Sequence, residues 1–203
     1  MTIRLPRVKG GFKAIHADPP WRFRTNSEEN PGRNPMRHYE CMNLADICDL
    51  PVRHVAAHNA VLFLWIPTPM LVIGKHAGVM REWGFKPSGF GFVWIKTKAG
   101  TQEGIMASES DLFTGMGFTT RKNAEVCLIG SRGLSPRRDA GVHEVIIAPV
   151  REHSRKPDEV YRRIERYSDG PYLELFGRQQ RPGWTVWGNQ ADKFGQEKEH
   201  ADA

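Results

Sequence analysis

Apolar residues in this chain fall into short unbroken runs, separated by polar stretches and by segments of helical spacing. FKAIHAD (12–18), AVLFLWI (60–66), FGFVWIK (90–96), AEVCLIG (124–130), HEVIIAP (143–149), YLELFG (172–177) and WTVWG (184–188) are of strand length, and each predicts a strand. PTPMLVIGKHAGVMREWGF (67–85) spaces its apolar residues as a helix does and stops at Gly84. KPDEVYRRIERYS (156–168) opens on Pro157 with acids in its first turn, a sound helix start. NLADICDL predicts a short helix that Asn43 can cap. Residues 24–39 and 97–120 are rich in turn-forming and small polar residues and predict long loops, and the polar C-terminal segment predicts a frayed tail. Seven strands interrupted by helices predict an α/β layered sheet, and their near-continuous apolar character predicts one that is mostly parallel. The expected organisation is one domain over 1–203, with its core at 12–190 and a polar tail at 191–203.

Composition narrows the class. Hydrophobic residues make up 39% and charged residues 26%, the balance of a soluble globular protein rather than a disordered chain. The longest apolar run is far too short to span a bilayer, so no membrane is expected. Twenty-nine Lys and Arg against 23 Asp and Glu give a net charge of +6, which suits a polyanionic partner such as nucleic acid and equally a generally basic protein. Three cysteines, Cys41, Cys48 and Cys127, are odd in number and lack metal-type pairing. Together with an N-terminus without an apolar signal core, they predict reduced thiols and a cytoplasmic location. His54 and His58 stand at i, i+4, a spacing that can hold a metal on a helix face. No acid or cysteine is spaced to complete such a site, and a polar helix face is the expectation.

The chemistry concentrates where the first strand should end, at ADPPW (17–21). Asp18 precedes a proline and is pushed into extended geometry, while Pro19 and Pro20 fix their own φ. The Asp18 carboxylate and the Pro19 carbonyl thus form two held acceptors, matched to an amino group with two N–H donors, and Trp21 adds a flat face for a base. The same string also serves as a strand-ending turn with a tryptophan plugging the core. Arg121, Lys122, Arg132, Arg137 and Arg138 gather in one stretch that can grip phosphates or form a solvated basic face.

ADPPW, HYECMNLADICDLPV, AVLFLWI, EWGF, VWIK, AEVCLIGSRG, REHSRKPDEVYRRIE, YLELFGR and GWTVWGNQ recur in the order of the N6-adenine methyltransferase family of the mRNA adenosine methyltransferase seventy-kilodalton-subunit type. The chain resembles that family over roughly 14–190, and its stand-alone bacterial or phage members in particular. The resemblance implies a Rossmann-like sheet with the catalytic motif ahead of the cofactor motif, S-adenosylmethionine as cofactor, and methyl transfer to N6 of adenine. DNA is the expected substrate and RNA the alternative, and a non-catalytic nucleic-acid-binding scaffold or a side-chain amide methyltransferase are rivals of other classes. A homo-oligomer or a partner subunit is compatible with it.

By this resemblance Asp18, Pro19, Pro20 and Trp21 form the catalytic motif. Asp18, Lys156, Glu174, Phe176, Arg178, Asn189 and Gln190 hold the cofactor, with Lys156 on its carboxylate and Glu174 on its ribose. Tyr39 sits by the target base, with Arg121 and Lys122 on the nucleic acid; Gln180 and Arg181 are further contacts. Read as residues alone, Lys156 also fits a solvated helix-start cation that a bound anion would help explain. Glu174 equally fits a strand-surface acid, Asn189 and Gln190 a closing turn, and Tyr39 a core cap.

Overall fold

The computed structural model describes residues 3–22, 41–106, 108–115, 120–152 and 154–194. The predicted loop at 24–39, Tyr39 within it, and the end of the tail lie outside these residues. All seven predicted strands form: β1 (Phe12–Ala17), β2 (Ala56–Ile66), β3 (Lys86–Thr97), β4 (Ala124–Arg132), β5 (Val145–Pro149), β6 (Tyr172–Leu175) and β7 (Trp184–Trp187). They join in one sheet of order β5-β3-β4-β2-β1-β6-β7. The pairs β1–β2, β1–β6, β6–β7 and β3–β5 are parallel, whereas β4 runs antiparallel to both β2 and β3. Six strands therefore point one way and β4 alone is reversed. The start of β4 thereby lies at the carboxyl ends of the others, the edge where open α/β sheets place their ligands.

The apolar runs are continuous because both faces are covered. Leu62, Leu64 and Ile66 of β2 pack with Ile15 and Ala17 of β1 against Ile47, Val79, Met80 and Trp83, which lie on α1 (Leu44–Cys48), on α3 (Lys75–Glu82) and just beyond α3. The alternate residues Val61, Phe63 and Trp65 pack with Phe92, Trp94 and Ile146 against Val160, Tyr161 and Ile164 of α4 (Asp158–Tyr167). Alternation on two buried faces is how a central strand loses its polar positions.

Local chemistry revises three expectations. The helix predicted over 67–85 is two, α2 (Thr68–Val72) and α3, because Gly74 between them adopts φ 72°, a left-handed geometry that interrupts the helical ladder. The predicted stop at Gly84 holds: with φ 84° it donates to the Arg81 carbonyl at 2.9 Å, while Phe85 donates to the Met80 carbonyl at 2.8 Å, closing the helix end. Asn43 occupies the N-cap position of α1 without a side-chain capping bond; its Oδ1 instead accepts from the Arg22 guanidinium at 3.2 Å. His54 lies in a one-turn 3-10 helix (Val52–His54) and His58 in β2, so they share no helix face.

Candidate active site

Asp18 follows β1 at the carboxyl edge, and the DPPW string is stitched down there. The Pro19 carbonyl accepts the Trp21 N–H at 2.8 Å, a tight turn about Pro20, and the Pro20 carbonyl accepts the Met42 N–H at 2.8 Å. This corrects part of the expected acceptor pair: the Pro19 carbonyl already holds one backbone donor, and its second lone pair is what remains for a ligand. Trp21 is corrected more fully. It is 4% exposed, lies in the core beneath α1, and donates its indole N–H to the Trp65 carbonyl at 2.9 Å. A ring so enclosed anchors the turn rather than offering a free face to a base.

Lys156, just before α4, reaches across 138 positions of sequence to Asp18, with Nζ 2.6 Å from Oδ2. The same ammonium lies 3.2 Å from Oε2 of Glu125 and 5.0 Å from the centre of the Trp65 ring. The Lys156 side chain is 7% exposed. Burial by itself would lower its pKa, but the Asp18 and Glu125 carboxylates more than offset this and raise it above the usual lysine range. The anion that explains a lysine ahead of a helix N-terminus is therefore on this chain. Two of its three N–H donors are taken, leaving one for a ligand.

Glu125 was not singled out in the sequence. It enters β4 at its reversed start, where it ion-pairs with Lys96 of β3 as well as Lys156. Burial would raise its carboxyl pKa, but the Lys156 and Lys96 ammonium groups hold it at about 2. The signal was visible as a lone acid opening an otherwise apolar run. Its reach to Lys156 was not.

The rest of the cleft comes from β6, the turn after it, and the start of α4. Glu174 is 7% exposed, so the strand-surface reading is corrected. It pairs in register with His16 of β1 and accepts the Tyr161 hydroxyl at 2.7 Å. Burial first, and then the Glu174 carboxylate beside it, push the Tyr161 hydroxyl well above the usual phenol range, so it acts as a donor. Arg181 lies with its guanidinium carbon 3.8 Å from the centre of the Tyr161 ring and donates to Asp158 at 2.8 Å. Burial would raise the Asp158 carboxyl pKa, but hydrogen bonds and charge from Arg151 and then Arg181 hold it at about 2.

His16, Asp18, Lys156, Tyr161, Glu174, Phe176, Arg178 and Arg181 all face this one cleft. Among the described residues, Ser154 (φ 66°) and Phe176 (φ 64°) are the non-glycine positions in the left-handed region, and both line it. Such backbone costs on the order of 1 kcal/mol or more and persists where surrounding structure imposes it, commonly at functional sites. Two glycines let the chain after β6 pack closely against β7 and the turn that follows it: a Cβ at Gly177 would come 2.3 Å from Val186 and 3.1 Å from Glu174, and one at Gly188 would come 2.8 Å from the Gly177 carbonyl oxygen.

Asn189, exposed, and Gln190, half-buried, lie in the turn after β7, outside the cleft lining. Arg121 and Lys122 precede β4 and stand at the same edge of the sheet as Asp18, whereas Arg132 ends that strand about 26 Å away. Arg132 donates to the Arg53 carbonyl at 2.7 Å and Arg138 pairs with Asp169 at 2.7 Å. The single basic cluster is thus corrected: β4 carries Arg132 to the opposite edge from Arg121 and Lys122. A larger groove of about 1140 Å³ opens between the N-terminal segment and α1, but none of the described catalytic, cofactor or substrate candidates lines it.

The profile of the MT-A70 family matches residues 12–190. The chain is 31% identical over 189 residues to the N(6)-adenosine-methyltransferase MT-A70-like protein of Drosophila melanogaster, covering 91% of this chain and 28% of that one. It is 30% identical over 189 residues to the human N(6)-adenosine-methyltransferase catalytic subunit METTL3, covering 91% and 29%. With the human N(6)-adenine-specific methyltransferase METTL4 it shares 28% over 197 residues, covering 90% and 38%. The chain thus spans less than a third of the length of the first two relatives.

Proposed function

This chain belongs to the MT-A70 family, and we propose that it transfers a methyl group from S-adenosylmethionine to N6 of adenine in nucleic acid. The observation that carries the reading is the meeting of Asp18, Lys156 and Glu174 in one cleft at the carboxyl edge of the sheet. The donor set suits that cofactor. Glu174 offers a buried carboxylate to ribose hydroxyls, and Lys156 keeps an N–H for a carboxylate. The cleft as it stands encloses about 30 Å³, room for a water. Admitting a nucleoside requires some of the lining side chains to draw back.

When bound, the sulfonium donor supplies a methyl group that is already activated. The chain's own part is charge and position. Lys156 holds Oδ2 of Asp18, and Oδ1 takes no hydrogen bond from the described residues. That free oxygen can accept from the exocyclic amine, whose conjugated nitrogen is a poor nucleophile. An acceptor fixed there favours the positive charge that develops on the nitrogen in the transition state. The Asp18–Lys156 bond fixes that oxygen before substrate arrives, and such orientation contributes several kcal/mol. Arg121 and Lys122, at the same edge, suit the phosphates of the polymer.

DNA is the first polymer to test, since the name of the human METTL4 relative specifies adenine rather than adenosine. RNA is the second reading, favoured by the word adenosine in the names of the Drosophila and human relatives. The test is calorimetry of S-adenosylmethionine binding, followed by transfer of labelled methyl to DNA and RNA oligonucleotides. Binding with transfer to either polymer supports the reading. Binding without transfer to any adenine identifies a cofactor-holding scaffold, and the absence of binding removes the reading altogether.

A further inference from the structure

We propose that His16 and Tyr161 are positioning residues for Glu174: together they occupy one oxygen of its carboxylate from below and aim the other at a ribose hydroxyl of the donor. The inference rests on the cleft being the adenosyl-donor site, and it begins from a tautomer. The indole N–H of Trp65 donates to Nε2 of His16 at 2.7 Å. Nε2 is thereby the acceptor, so a neutral ring carries its proton on Nδ1. His16 is 1% exposed, and its Nδ1 is buried with no hydrogen-bond partner, 3.5 Å from Oε1 of Glu174. That distance is too long for a hydrogen bond, and it makes an oriented dipole against the carboxylate.

Tyr161 donates to the same Oε1 at 2.7 Å from α4. One hydrogen-bond donor and one N–H dipole, from two elements, thus converge on one oxygen, while Oε2 takes no hydrogen bond from the described residues. A carboxylate has about four lone-pair directions to fill, and Oε2, unlike the buried and unpartnered Nδ1 of His16, keeps some exposure. Glu174 lines the cleft, so a hydroxyl entering the cleft is the donor that Oε2 lacks. Aromatic rings keep the assembly in place: Tyr161 and Trp184 stand edge-on to His16 at centroid distances of 5.2 and 6.3 Å. Gly177 presses on the carboxylate from the backbone side, where a Cβ would come 3.1 Å from both Cγ and Cδ of Glu174. The carboxylate is therefore held by side chains that need not touch the ligand's hydroxyls themselves.

The test is calorimetry of S-adenosylhomocysteine and its 2′-deoxy and 3′-deoxy analogues with the unaltered chain, Tyr161→Phe and His16→Leu, with melting temperatures beside each titration. Tyr161→Phe removes one hydrogen bond to a carboxylate and should weaken the parent ligand by about tenfold. His16→Leu should weaken it by about threefold, the lower end expected of a contact that is not a full hydrogen bond. With at least one deoxy analogue both penalties should vanish, because the hydroxyl that Oε2 meets is gone. In turnover, KM for the donor should rise while kcat holds. Equal loss for parent and both analogues would show a merely structural role and overturn the inference, as would unaltered parent binding in both variants. If the unaltered chain binds no S-adenosylhomocysteine, the functional reading itself fails and takes this inference with it.

Discussion

Replacing Lys156 by Met keeps most of the side-chain volume and removes one charge from between two carboxylates. In the native chain the ammonium sits 2.6 Å from Asp18 and 3.2 Å from Glu125. At an effective dielectric of about 20, charges at these separations attract by about 5–6 kcal/mol each. Much of that offsets the desolvation of an ammonium only 7% exposed, and the carboxylates, 28% and 36% exposed, are screened by water. The net loss on breaking the pair is therefore about 3 kcal/mol, the low end for a buried ion pair. That is at least a fifth of the 5–15 kcal/mol typical of a domain. The sign with pH is specific. Native Lys156 is held above the usual lysine range, so its contribution is complete below the ordinary lysine pKa and is lost only as pH rises past it. In the variant Glu125 keeps only Lys96, so its carboxyl is held down less in the folded chain; the deficit is therefore largest near pH 8 and shrinks as pH falls toward 4. Urea unfolding followed by the fluorescence of the six tryptophans measures it at both pH values. Adding Asp18→Asn to Lys156→Met should recover part of the loss. A deficit under 1 kcal/mol, a deficit equal at both pH values, or a double variant no more stable than the single one would rule out a buried Lys156 pair of this strength.

Three further outcomes follow from the same geometry. Glu125 and Asp158 both titrate at about 2, below their unfolded values, so stability should fall as pH drops from about 4.5 toward 2. Asp158→Asn should flatten that fall at a cost of about 2 kcal/mol at neutral pH, read by urea unfolding across the range. Gly188→Ala places a Cβ 2.8 Å from the Gly177 carbonyl oxygen and should lower stability by about 1–3 kcal/mol, seen as a lower Tm. Arg121→Ala should weaken nucleic-acid binding and reduce its salt dependence, whereas Arg132→Ala, at the opposite edge of the sheet, should leave both unchanged; filter binding across salt concentrations distinguishes them.

How much of this was legible in the chain depends on what each signal encodes. Apolar runs buried on two faces announce themselves, which is why seven strands and the stop at Gly84 were readable. Direction is not written in hydropathy, so the reversal of β4 was hidden, and with it the arrival of Glu125 beside Lys156. Sequence proximity likewise gathered Arg121, Lys122 and Arg132 into one cluster that a nine-residue strand pulls apart. Gly74 could be seen, but whether a lone glycine breaks a helix depends on the backbone angle it adopts. Trp21 was readable as an aromatic beside a carboxylate, yet apolarity does not distinguish a stacking plate from a core anchor. The Asp18–Lys156–Glu174 grouping was legible only through motif resemblance. Its His16 and Tyr161 underpinning depends on which face of β1 and which turn of α4 meet, and that is a property of packing.

In the proposed reaction Asp18, fixed by Lys156, accepts a hydrogen bond from the amine to be methylated. Mass spectrometry of nucleosides from DNA and RNA incubated with S-adenosylmethionine and either the unaltered chain or Asp18→Ala tests it most directly. N6-methyladenine is expected from at least one polymer with the unaltered chain, and none above background with Asp18→Ala, which should still fold and bind the donor. N6-methyladenine at comparable yield from Asp18→Ala would contradict it.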